Sequence, residues 1–102
     1  MLTKKFIKSR NSCQVTFQLP KDVKAKQVSV VGEFNNWDET AHPLKKVKSV
    51  WKTTLELEQG REYQFRYLVD GEAWHNDEAA DKYISNNIGG DNSVVVTAQN
   101  DN

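Results

Sequence analysis

Residues 62–70 alternate strongly: Tyr63, Phe65, Tyr67 and Val69 fall in one phase and Arg66 in the other. A period of two sends one face of a strand into a core and the other toward solvent. Asp70-Gly71 follows at once, a strong two-residue hairpin signal. The same period recurs at residues 13–19, where Cys13, Val15, Phe17 and Leu19 oppose Gln14, Thr16 and Gln18 until Pro20 ends the run. It recurs at residues 50–58, with Trp51, Thr53, Leu55 and Leu57 in phase. Residues 27–34 are apolar enough for a central strand, 43–47 read as a short edge segment, and 72–75, 81–84 and 93–98 supply further short strands. No window of useful length shows helical periodicity. Turns come at roughly ten-residue spacing, so the chain is expected to be all-β, an immunoglobulin-like β-sandwich of about seven short antiparallel strands.

At 102 residues the chain has room for one domain and a small core. The expected division is a basic N-terminal arm over residues 1–12, the sandwich over 13–98 and a polar tail over 99–102, with both ends mobile. A formal net charge of zero argues against a protein that holds a polyanion mainly by charge. The charge is uneven along the chain, however. Residues 1–52 carry 11 Lys and Arg against 4 Asp and Glu, and residues 53–102 carry 3 against 10. Two readings stand: charge complementarity between strands of the sandwich, or a basic arm that touches an acidic surface or partner. No segment approaches the roughly 20 apolar residues of a membrane span. The N-terminus lacks an apolar signal core, so no membrane partner and a cytoplasmic location are expected. Cys13 is the only cysteine, which leaves no internal disulfide and reads as a small buried hydrophobe.

The aromatic residues divide by phase. Phe17, Phe34, Tyr63, Phe65 and Tyr67 occupy core positions, and Trp51 belongs to the core or its rim. Trp37 and Trp74 differ, because each sits at a loop or hairpin boundary beside polar residues. Each is either a rim-packing residue or an exposed indole, since Trp is rarely fully buried. An exposed indole offers an apolar body with a polar N–H, which suits the C–H face of a sugar ring. Arg66 is either a solvated charge on the sheet face or a planar donor fork for vicinal hydroxyls. Asn92 closes an Asn- and Gly-rich loop, residues 86–92, as turn chemistry or as a combined donor and acceptor for a diol.

Catalytic patterns are weak. Asp70, Glu72, Asp77, Glu78 and Asp81 cluster in sequence and could offer a carboxylate pair for glycoside hydrolysis. A hydrolase needs a cleft around its bond, and a small sandwich offers little concavity. His75 with Asp77 and Asp81 could be drawn as a metal site, but His42 and His75 match no ligand spacing. No catalytic residue, metal or cofactor is expected. Nor is nucleic acid, since the fold lacks a helix for a groove.

The segments VSVVGEFNNWDE and SVWKTTLELEQGREYQFRYLVDGEAW, followed by the Asn/Gly loop and three valines, resemble carbohydrate-binding module family 48. That family includes the glycogen-binding domain of the AMP-activated protein kinase β subunit and the early-set N-terminal domain of isoamylases and glycogen branching enzymes. The resemblance covers about residues 13–98 and is closest to the free-standing, single-domain members. It implies a non-catalytic module that binds α-1,4-glucan such as glycogen, starch or maltooligosaccharide. The family's sugar-stacking tryptophans correspond to Trp37 and Trp74, the second after one extra residue beyond Gly71. Its basic strand residue, usually Lys, corresponds to Arg66, and its hydroxyl-bonding Asn to Asn92. The Leu that the family inserts into the glucan coil is replaced by the shorter-reaching Ile88, and a Thr two positions later by Gly90. The alternative is a regulatory interaction module that docks on a glycogen-metabolising enzyme or kinase, with a glycosidase-associated subunit as a third reading.

Overall fold

The computed structural model describes residues 1–86 and 90–98. Its strands are β1 Leu2–Ile7, β2 Ser12–Gln18, β3 Val28–Gly32, β4 Lys45–Val47, β5 Val50–Glu58, β6 Glu62–Val69, β7 Ala73–His75, β8 Lys82–Ser85 and β9 Asp91–Val96. Two short 3-10 turns, Lys8–Arg10 and Glu33–Asn35, are the only helical pieces among the described residues. No helix there is long and apolar enough to cross a membrane. The chain is all-β, an immunoglobulin-like sandwich of two antiparallel sheets. One sheet runs β1-β2-β5-β4. The other runs β3-β6-β9-β8, with β7 also paired to β6.

The alternating phases become the core. Cys13, Val15 and Phe17 from β2 meet Val28 and Val30 from β3, Phe65 and Tyr67 from β6, and Trp51 and Leu57 from β5. Phe65 lies edge-on to Phe17 and to Tyr67, with ring centroids 5.0 and 5.7 Å apart, the geometry that aromatic quadrupoles favour. Burial pushes the Cys13 thiol above its ordinary pKa, consistent with an inert core residue.

The segment expected to be a mobile basic arm is instead an edge strand. Leu2 and Phe6 stand opposite Phe17 and Cys13 in the β1–β2 ladder and pack against the core. Lys4 shares their phase, which hides the alternation in the sequence, and its ammonium is met by Asp81 at 2.6 Å. Arg10 pairs with Glu56 at 2.9 Å. These contacts join the basic first half of the chain to the acidic second half, the complementarity reading of the charge pattern.

Two turns fix the second sheet. Asp70 and Gly71 both have positive φ, 54° and 70°, in a connection one residue longer than the two-residue hairpin expected: Val69 pairs with Ala73, so residues 70–72 form the turn between β6 and β7. The Asp70 carboxylate also accepts the Gln27 and Lys26 amides at 3.0 and 2.7 Å, tying the start of β3 to the hairpin. Residues 42–44 lie beside β3, with Val30 donating to the His42 carbonyl and Leu44 to that of Val28. The chain then changes sheets to form β4 against β5.

Candidate functional site

On β6 the residues out of phase with the core are Gln64, Arg66 and Leu68, and they build the outer face of the second sheet. Arg66 occupies a seam. The β6–β9 ladder ends at Phe65–Ser93 and the β6–β7 ladder begins at Tyr67–His75. Val31 of β3 faces Arg66 from the other side. Trp74 stands opposite Leu68, one step diagonally from Arg66, and the Arg66 guanidinium carbon lies 6.0 Å from the Trp74 ring centroid. That is the outer limit of a cation–π contact. Arg66 Nε is buried without a hydrogen-bond partner, and no ion pair holds the side chain among the described residues. It is therefore not the freely solvated charge that strand alternation alone suggests.

Asn92 lies within β9 rather than closing a loop. Its Nδ2 donates to Gln64 Oε1 at 3.0 Å, so its own carbonyl oxygen is the group left for other donors. Ile88 lies outside the described residues.

Trp37 leaves the sheet from the β3 side, across β6 from β7 and β9. The segment Phe34-Asn35-Asn36-Trp37 divides its labour. Phe34 turns inward against Phe17, with centroids 5.4 Å apart. Asn35 clamps the turn: its Oδ1 accepts the Gly32 amide at 3.0 Å, and its Nδ2 donates to the Val30 carbonyl and to His42 Nδ1 at 3.0 and 2.9 Å. Asn36 and Trp37 then take left-handed conformations, φ 56° and 59°, and the Trp37 amide returns to the Gly32 carbonyl at 2.8 Å. Left-handed backbone at a residue as large as Trp costs on the order of 1–3 kcal/mol, and such strain collects at functional positions. Trp37 and Trp74 are each 39% exposed. The adjoining Asp38 carboxyl is held below its ordinary pKa by the Thr40 amide and hydroxyl.

Beneath these polar and aromatic groups runs an apolar stripe. Val31, Leu68 and Val94 face away from the inter-sheet core, yet each is buried. Their direct cross-strand neighbours are Arg66, Trp74 and Gln64. Gln64, Asn35 and the stripe were not singled out by sequence reasoning; the phase of Arg66 on β6 was the available signal for Gln64. A shallow groove of about 260 Å³, lined in part by Ser29, Glu39, Thr40 and Leu68, adjoins this surface.

Of the carboxylates considered for hydrolysis, Asp70 and Glu72 lie in the β6–β7 turn, and Asp77 and Asp81 are placed elsewhere. Asp77 is buried at the edge of a separate cleft of about 600 Å³. It accepts the Tyr67 hydroxyl at 2.7 Å and the Ala79 amide at 2.8 Å, and pairs with the α-amino group of Met1. Burial, and then the adjacent Asp77 charge, push the Tyr67 hydroxyl pKa upward. Asp81 accepts the Val96 amide at 2.7 Å besides its Lys4 pair. Among the described residues, no three His, Cys, Asp or Glu side chains come together as a metal site.

No characterised protein matched the chain in a comparison with curated sequences. A family model does match, over residues 13–102, and it describes the glycogen recognition site of AMP-activated protein kinase. On a match that spans nearly its whole length, the chain belongs to that family of carbohydrate-binding modules.

Proposed function

We propose that the outer face of the second sheet binds α-1,4-glucan and that the domain carries out no chemistry on it. The observation that carries this reading is the Arg66–Trp74 pair: an exposed indole with a guanidinium beside it, over a floor of buried apolar residues. Trp37 and Trp74 stack on successive glucose rings, and their approach from opposite sides of β6 suits a curved chain of sugars. Arg66 donates to ring hydroxyls, and the Asn92 carbonyl, freed by Gln64, accepts from them. Burying sugar hydroxyls is costly and the gain is concentrated on the apolar ring faces. Affinity is therefore expected at roughly 10 μM to 1 mM, about −7 to −4 kcal/mol.

The test is calorimetric titration with maltoheptaose and β-cyclodextrin, with cellohexaose as the comparator. Trp37→Ala and Trp74→Ala are each expected to lose binding while circular dichroism shows an intact fold. Unchanged affinity in both variants, or equal binding of the β-linked cellohexaose, would overturn the assignment.

A further inference from the structure

The cations outside the glucan face are not distributed alike. Lys4, Arg10, Arg61 and Lys82 each meet a carboxylate. Lys5, Lys8 and Lys26 form no ion pair among the described residues, and at the β4–β5 hairpin such unpaired lysines gather. Lys45 stands directly opposite Lys52 in the ladder, with Lys46 next to it and Lys48 in the turn. The Asp22 amide donates to the Ser49 carbonyl at 3.1 Å, which brings the turn carrying Lys21 and Lys24 to the same corner. None of these six lysines, all exposed, forms an ion pair among the described residues. Asp22 is the carboxylate within this corner.

Like charges directly opposite on neighbouring strands oppose the fold. The hairpin adds backbone strain, since Lys48 and Ser49 hold φ of 51° and 69°, at turn positions where Asn and Gly are the natural choice. Val47, between the lysines, is 42% exposed. β4 is the free edge of its sheet. An anionic partner would relieve the repulsion that the fold leaves uncompensated.

We infer that the β4–β5 corner is a docking surface for an acidic segment of another protein. A polypeptide is favoured over nucleic acid because the corner offers no stacking surface: its aromatic residue, Trp51, is buried. Exposed Val47 gives an apolar contact that a peptide side chain can match and a phosphate backbone cannot. Lysines along the edge also repel a second copy of this chain. The surface belongs to the opposite sheet from the glucan face, so the inference stands apart from the sugar reading.

The test is an amide NMR titration of the full chain, at low salt, with a ten-residue peptide of alternating Glu and Leu. Shifts are expected at residues 45–52 and near Lys21 and Lys24, fading as salt rises. Lys45→Glu turns the repulsive pair into an attractive one, so this variant is expected to melt at the same or a higher temperature while binding the peptide at least tenfold more weakly. Maltoheptaose titrations of the two proteins are expected to coincide. Equal peptide affinity in Lys45→Glu, shifts scattered over both sheets, or an equal response to a twelve-residue single-stranded DNA would each overturn the inference.

Discussion

Arg66 and Trp74 approach each other across the one position on β6 where the strand exchanges partners, the guanidinium carbon 6.0 Å from the indole centroid. The exchange of β9 for β7 opens the sheet locally and gives a long side chain room to lie on its face. It also leaves Arg66 Nε buried and unpaired. Strand topology, rather than a pocket, thus sets the ring and the cation side by side.

Arg66→Ala is expected to weaken maltoheptaose binding by about 1–2 kcal/mol, the worth of a charged hydrogen bond reduced by solvent exposure. Stability should barely fall, because the change removes an unsatisfied donor along with a marginal cation–π contact. Arg66→Lys keeps the charge but not the planar fork and should recover part of the affinity. Calorimetry on the three proteins decides it, and equal affinities would reduce Arg66 to a surface charge.

Gly32→Ala is expected to damage both fold and binding. A Cβ at this position would stand 2.5 Å from the Gln64 carbonyl oxygen and 2.8 Å from Phe65 Cβ. Relief requires the Glu33–Asn35 turn to move off β6, at about 1–3 kcal/mol. The Gly32 carbonyl holds the Trp37 amide, so the ring moves with it. Urea denaturation and a maltoheptaose titration should both register the change. A variant with lower stability but full affinity would disconnect the loop from the site.

Strand phase was legible where alternation was uninterrupted. β2, β5 and β6 follow it closely, and the phase of Arg66 placed its side chain on the correct face. β1 was hidden because Lys4 occupies an inward position that becomes acceptable only when Asp81 arrives from 77 residues away. Within Phe34-Asn35-Asn36-Trp37 the inward Phe34 was legible, but the clamping role of Asn35 was hidden. Asn35 acts through Val30 and His42, and contacts between residues distant in sequence leave no period to read. The same holds for Gln64, whose value to the site depends on Asn92.

Asp77→Ala should cost at least about 2 kcal/mol, because it strands the buried Tyr67 hydroxyl and the Ala79 amide without an acceptor. Asp77→Asn keeps an acceptor and should cost less. A double-mutant cycle with Tyr67→Phe is expected to show coupling of about 1 kcal/mol between the two groups. Glycogen incubated with the wild-type protein should release no reducing sugar, since this carboxylate is committed to the fold. Release that disappears in Asp77→Asn would give Asp77 a catalytic role instead.

Asp70 provides a test by pH. The Gln27 and Lys26 amides hold its carboxyl below the ordinary carboxylate range, against about 3.9 in an unfolded chain. A folded pKa below the unfolded one means that the ionised form favours the fold. The contribution is therefore complete above the unfolded value and is lost as pH falls through the folded one. Asp38 has the same sign, through the Thr40 amide and hydroxyl. Stability should accordingly stay level from about pH 7 to pH 5 and decline below about pH 4. Asp70→Asn suits the left-handed turn and retains an acceptor oxygen, but it cannot titrate. This variant should be less stable than wild type at neutral pH, and the gap should narrow steadily toward pH 2.5, with Asp38 sustaining the remaining slope. Urea midpoints at half-unit steps of pH measure both curves. A gap that stays constant with pH would show that the Asp70 carboxylate holds the β3 start no better ionised than neutral.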